Sequence, residues 1–269
     1  MIYNPERRLL QHNKDRLNRE KKITLLTHAG SFLILIVLWE LAGILGWISI
    51  SPLRSPVELI GWSAQTIING EMLAHVKSTI TAVLLGWISG VIAGILAAIL
   101  IWSSRWISII AGPYLKLIES FPKIAVIPLL LFLPVADHIA ITAVCLVIVF
   151  LSIIISSYNS FLGVDPNYKR ILGGLGMGRW RIFIRAILPA SFPVIFSEAK
   201  TSTRLAWAGV IVAELLAGEE GLGYLLVNRM RVSDYGTMIL TLFIIIFLSA
   251  ILYRLMDQLE KWIIKNRYN

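Results

Sequence analysis

Lys200, Arg204 and Trp207 are spaced i, i+4 and i+7, so a helix carries them on one face, with the hydroxyls of Thr201 and Thr203 close by. A guanidinium offers forked donors and an ammonium a point charge, so a basic face with an aromatic beside it suits a small oxyanion. Two structural readings stand next to that one: an internal ion pair with Glu198, Glu214 or Glu119, and snorkelling of the long side chains to an interface. Glu214 lies further along the same segment, in Ala213-Glu214-Leu215-Leu216. It gates a path, fixes the loop that follows, or belongs to a buried pair. Lys116 and Glu119, at i, i+3, are expected to pair with each other.

Other chemistries find no support. His75 and His138 have no metal-ligand partner at i, i+3 or i+4, so a structural or solvated role is expected and no metal site. A His-Glu-x-x-His motif and a Gly-x-Ser-x-Gly elbow are both missing, and Gly86-Trp87-Ile88-Ser89-Gly90 only approaches the latter inside an apolar helix. An intramembrane enzyme is therefore disfavoured. No Gly-Lys dipeptide occurs, hence no phosphate loop, and ATP must be bound by another chain. Cys145, the one cysteine, cannot form a disulfide within the chain and reads as packing.

The elements that must position these residues are membrane helices. Of the 269 residues, 57% are hydrophobic and 15% charged, against roughly 45–50% and about 25% in soluble domains. One buried core cannot absorb that excess, so much of the surface faces lipid. A spanning helix needs about 20 mainly apolar residues, and six segments qualify: 25–47 (interrupted by Glu40), 78–104, 106–134, 139–164, 190–217 and 235–253. The third contains Lys116, Glu119, Lys123 and the prolines 113, 122, 128 and 134, and reads as a kinked span. The expected fold is an all-α polytopic membrane protein with about six transmembrane helices. Lys200 stands ten residues beyond Ala190, about 15 Å along a helix and near mid-depth, where an ionisable group costs at least ~2.5–3.5 kcal/mol. Glu40 is expected to face a neighbouring helix. Gly86, Gly90 and Gly94, followed by Ala98, make a small-residue face for close helix packing, with a pore-lining backbone as the alternative.

The net charge is +9, and its distribution decides its meaning. Seven Lys and Arg lie at 7–22, one at 105, five at 169–185 (Lys169, Arg170, Arg179, Arg181, Arg185) and four at 254–267. With six spans all of these fall on one side, while the opposite loops hold mainly Arg54, Arg229 and Arg231, with Lys77 near a boundary. This positive-inside pattern places both termini in the cytoplasm. The basic charge is then topological, and nucleic acid is not an expected partner, whereas the lipid bilayer is. The N-terminus does not read as a cleaved signal, because its basic stretch is long and no small-residue site follows.

The loop from Asp165 to Pro189 is the most informative segment. Asp165 can cap a helix that opens on Pro166 and stops in the glycines 173, 174, 176 and 178. A second helix starts near Arg179, with Trp180, Phe183, Ile184 and Ile187 on an apolar face and Arg181 and Arg185 on a polar one, an interfacial amphipathic helix. A plain basic loop that only sets topology is the bland alternative.

Gly176, followed thirteen residues later by Pro189 in Ile187-Leu188-Pro189, resembles the cytoplasmic loop signature of ABC importer permeases. So do Gly163-Val164-Asp165-Pro166 before it, and Val212 to Leu216 with Glu220-Gly221-Leu222-Gly223-Tyr224-Leu225 after it. Over roughly residues 50–258 the chain resembles the sulfonate, taurine, nitrate and bicarbonate branch of the type I importers. The resemblance implies a permease subunit importing a small solute, foremost an organic or inorganic anion, handed over by an external solute-binding protein. It further implies two ATPase subunits holding ATP and Mg, a second permease copy forming a homodimer, no cofactor in this chain, and residence in a bacterial or archaeal inner membrane. Arg170, Gly173, Gly174, Gly176, Gly178 and Arg179 would couple to the ATPase. Lys200, Arg204, Trp207 and Glu214 are the substrate-path candidates. The chain divides accordingly into a cytoplasmic basic tail (1–24), a first span with its external connection (25–74), a permease core (75–258) with its coupling loop at 165–189, and a cytoplasmic tail (259–269). One departure stands out: the family's Glu-Ala-Ala triplet is here Arg170-Ile171-Leu172, so the docking surface or its register must differ. A self-sufficient ion channel or secondary transporter is the rival reading; inverted repeats would favour it, and the two halves show no clear self-similarity.

Overall fold

A computed structural model describes residues 23, 27, 30–31, 33–45, 70–132 and 134–268. The basic stretch 7–22, the end of the first span at 46–47 and the connection containing Arg54 lie outside these residues. The chain divides into two units, Met1–Gln65 and Thr66–Asn269. In the first, an apolar helix runs over Leu33–Ile44 (α1) and carries Glu40.

The second unit is helical throughout and holds no strand among the described residues: α2 (Glu71–Ser103), α3 (Arg105–Ser120), α4 (Ile127–Leu131), α5 (Asp137–Leu162), α6 (Pro166–Gly174), α7 (Arg179–Ala217), α8 (Leu222–Arg231) and α9 (Tyr235–Tyr268). Among the described residues, four helices are long and apolar enough to cross a membrane, within α2, α5, α7 and α9. α5 is the central one. It packs along α2 on one side and α7 on the other, and Val144, Cys145, Ile148, Val149 and Ile153 are fully buried between them.

Lipid tails are as apolar as leucine, so helices associate in a bilayer by close packing rather than by hydrophobic burial. α2 shows how. Gly86, Gly90, Gly94 and Ala98 are buried against α5. A Cβ on Gly86 would meet the Cys145 side chain at 2.5 Å, and one on Gly94 would meet Ile153 at 2.8 Å. The small-residue face is thus a packing face. The opposite face is a row of exposed aliphatics, Leu85, Ile88, Ile92, Leu96 and Leu100. Cys145 is buried and its thiol donates to the Val83 carbonyl at 3.7 Å, as packing requires.

The third apolar segment is broken rather than kinked. α3 ends at Ser120, Phe121 is extended (φ −78, ψ 134), Lys123–Val126 form one 3₁₀ turn, and α4 is only five residues long. Pro122 forces the residue before it out of the helical region, and Pro128 sits in the first turn of α4, where its missing donor costs nothing. Lys116 and Glu119 do not pair, and Glu119 instead lines a cavity with Lys123 and Glu198.

Candidate functional site

The loop that joins α5 to α7 is built as its residues dictate. Asp165 Oδ1 accepts the Asn167 amide at 2.8 Å, Pro166 takes the first helical position, and α6 follows. At its far end the Met177 amide donates to the Leu172 carbonyl (3.2 Å) and the Gly176 amide to that of Gly173 (3.0 Å). Gly176 has φ +76. That is a Schellman closure with glycine at the one position that needs left-handed backbone. No residue of α6 is buried; Tyr168 and Ile171 of α6 and Leu175 at its C-cap are 52%, 62% and 72% exposed, an apolar row on a helix between two spans.

Both arms of the loop are tied to the ends of spanning helices. Lys169 Nζ reaches back to the carbonyls of Phe161 (3.3 Å) and Leu162 (3.4 Å), acceptors that the last turn of α5 leaves without helical partners. Burial against that helix end holds the Lys169 ammonium below the usual lysine range. Arg179 Nη2 donates to the Trp102 carbonyl at 2.6 Å, at the end of α2, and its guanidinium lies 4.8 Å from the centre of the Trp102 ring. Trp102, Phe183 and Phe161 continue the contact into a ring cluster, with centroids 4.4 and 5.2 Å apart. Neither tie is visible in the sequence, where Lys169 reads as topological charge and Arg179 as topological charge and a coupling candidate.

The second arm is not a separate interfacial helix. It is the opening of α7 itself, which runs unbroken from Arg179 through a π turn at Phe183–Ile187. Pro189 cannot donate to the Arg185 carbonyl, and the wider turn takes up that fault. The wide turn also breaks the expected apolar stripe. Phe183 and Ile187 are buried among protein side chains, while Trp180 and Ile184 are exposed.

The coupling candidates Arg170, Gly173, Gly174, Gly176, Gly178 and Arg179 therefore share one exposed loop. The path candidates do not converge. Lys200 forms ion pairs with Asp257 (3.2 Å) and Glu260 of α9, neither of them among the partners expected from the sequence. Those acids lie beyond the span read at 235–253 but inside the longer apolar stretch of α9, Tyr235–Ile263, so the Lys200 charge is met by carboxylates of a neighbouring helix. Arg204 stacks on Tyr253, 5.4 Å from the ring centre. Trp207 is in the core against α2 and α9. Glu214, ten residues from Arg204, is 1% exposed at the other end of α7. It accepts from Thr79 Oγ1 (2.8 and 3.0 Å) and from the Gly223 amide (2.9 Å). The Leu222 amide donates to Thr79 Oγ1 at 2.8 Å, and the Gly221 amide to His75 Nδ1 at 3.1 Å. Glu214 thus fixes the loop that follows it, and His75 is structural. His138 is exposed.

Residues 90–265 match the family model described as "Binding-protein-dependent transport system inner membrane component". The chain belongs to that family. It is a multi-pass membrane permease of ABC importers and not an enzyme. A Bacillus subtilis permease named for aliphatic sulfonates transport, SsuC, is 25% identical over 87% of this chain and 85% of its own length. The riboflavin transport system permease RibX of Chloroflexus aurantiacus is 27% identical, covering 87% and 88%. The formylaminopyrimidine transport permease ThiX of Halalkalibacterium halodurans is 24% identical, covering 85% and 91%. In three dimensions the chain resembles a subunit of the MetNI methionine ABC transporter, with a TM-score of 0.59 at 14% identity, over 72% of this chain and 96% of that one. A chain of an amino acid ABC transporter gives the same score at 16% identity, over 74% and 96%. The fold is thus that of type I importer permeases.

Proposed function

We propose that this permease pairs with a second copy of itself and two ATPase subunits, and that the loop at 163–179 is the joint through which the ATPases move the spans. Both termini and this loop face the cytoplasm, an external binding protein delivers the solute, and ATP with Mg stays on the ATPases. One observation carries the reading: α6 presents Tyr168, Ile171 and Leu175 outward while Lys169 and Arg179 fasten its two sides to the ends of α5 and α2. A helix gripped on that apolar row would pull both spans together. Arg170, next to the row, supplies a positive charge where the related loops carry an acid, so the matching cleft on the ATPase is expected to hold a carboxylate. The anion expected along Lys200 and Arg204 loses its main support, since Asp257 and Glu260 neutralise Lys200. The relatives named for a sulfonate, riboflavin and a formylaminopyrimidine fit a small polar organic solute of wider chemistry.

The test is Gly176→Trp in the assembled complex in vesicles. The left-handed backbone at 176 rejects a large side chain, so α6 must turn away from its seat. Insertion into the membrane should be unchanged and ATP-driven uptake lost. Normal uptake would refute the joint.

A further inference from the structure

A second polar surface lies on the side of α7 opposite Lys200. Glu198 precedes Lys200 by two residues, about 200° around the helix, so the two point apart. Lys200 meets α9, whereas Glu198 lines a cavity of about 470 Å³ between α7, α5 and the break formed by the end of α3 and the 3₁₀ turn that follows it. α5 contributes Ser152, Ser156, Asn159 and Ser160, at i, i+4, i+7 and i+8, a polar stripe along that side of the span. Glu119 and Lys123 close the cavity from the broken segment. Among the described residues none of these three forms an ion pair in direct contact, although Lys123 acts on Glu198 across the cavity, in contrast to the contact ion pairs around Lys200. Two carboxylates face one ammonium. One ammonium cannot neutralise two carboxylates, and the charge left over at a span persists where water or a solute solvates it.

We infer that this cleft is a water-filled transit site for a solute that brings positive charge or N–H donors, and that it disfavours free oxyanions. The inference rests on the permease reading for its role in transport, but its electrostatics stand alone. The hydroxyls and amide of α5 can each donate and accept, and the two carboxylates accept only. An ammonium, amidine or amino-heterocycle finds partners there, whereas a sulfonate or bicarbonate meets net negative charge. The two walls, α5 and α7, are the helices that the loop at 163–178 connects. Movement of that loop therefore changes the width of the cleft, which couples access to the ATPase.

Charged thiol reagents read this directly. In the full-length permease in vesicles, with Cys145→Ala as background, Ser156→Cys is exposed to a cationic methanethiosulfonate (the trimethylammonium ethyl ester) and to an anionic one (the sulfonatoethyl ester), with rates normalised to a free thiol. The cationic reagent should react at least about tenfold faster, since a net negative charge nearby in a partly desolvated cleft is worth ~1.4 kcal/mol or more. Glu198→Gln should cut that preference severalfold, and Glu119→Gln with it should abolish it. Failure of both reagents to react, equal rates, or an anionic preference would overturn the assignment. Uptake by the complete complex is scored separately: a cationic preference with no ATP-driven uptake of any solute would sink the permease role and leave the cleft standing.

Discussion

Two glycine-rich turns lie at opposite ends of α7, and the same residue type does opposite work in them. At 218–223 every glycine is pressed against something. A Cβ on Gly218 would meet the Glu214 carbonyl at 2.6 Å, one on Gly223 would meet the Glu214 side chain at 2.8 Å, and one on Gly221 would enter the Glu214 carboxylate itself. At 173–178 a Cβ on any of the four glycines meets nothing within 4 Å. The first turn is closed by buried hydrogen bonds to Glu214, Thr79 and His75. The second is fastened only at its two flanks and leaves its apolar row uncovered. One end of α7 is built to stay fixed, and the other, on the function proposed above, is the end that a partner grips and moves.

The largest effect that would break this contrast is expected from Gly221→Ala. Gly221 has φ +107 and ψ 168, a region that is essentially glycine's own, which costs ~1–3 kcal/mol for any other residue. Pushing aside the buried Glu214 carboxylate adds about 1–3 kcal/mol more. The thermal midpoint of the detergent-purified chain, followed by loss of monodispersity, should fall sharply, and yield with it. An unchanged midpoint would mean that Glu214 does not hold the turn.

At the N-terminal end of α7 the sequence made the local turns legible and hid the long-range ties, for a physical reason. Asp165, Pro166 and the glycines are local signals, because caps and left-handed closures involve residues a few positions apart. The small-residue face of α2 was likewise readable from its period of four. The ties of Lys169 to Phe161 and Leu162, of Arg179 to Trp102, and of Lys200 to Asp257 and Glu260 span up to 77 residues. Such partners are chosen by packing and leave no local pattern. The π turn was hidden for another reason: a 3.6 period was assumed through Pro189, whose missing donor invalidates it. The stripe of Ser152, Ser156 and Asn159 is present in the sequence, but without the broken segment opposite it nothing there marks it as the wall of a cavity.

An intermediate effect is expected from Arg179→Ala, which cuts the tie to α2. It removes a charge-assisted hydrogen bond to an otherwise free carbonyl and a cation–π contact, together ~1–3 kcal/mol. The midpoint should drop modestly. Uptake per ATP hydrolysed should fall much more, because the loop can then move without α2. Arg179→Lys keeps the charge but not the planar fork, and should recover only part of the coupling. If hydrolysis and uptake fell in parallel for both variants, Arg179 would be a docking contact and not a tie.

The smallest effect tests whether the open glycines matter as glycines. Gly174 is the last residue of α6, its φ is not left-handed, and space for a Cβ is free. Gly174→Ala should therefore stabilise α6 by ~0.5–1 kcal/mol through helix propensity. If the loop moves as a rigid lever, uptake per ATP stays within about twofold of the parent. A stiffer α6 with markedly lower uptake would mean instead that the lever must bend at 174, and that the contrast with the turn at 218–223 is one of flexibility as well as of exposure. Gly218→Ala serves as the matched control, since the same added methyl there has no room and should cost stability.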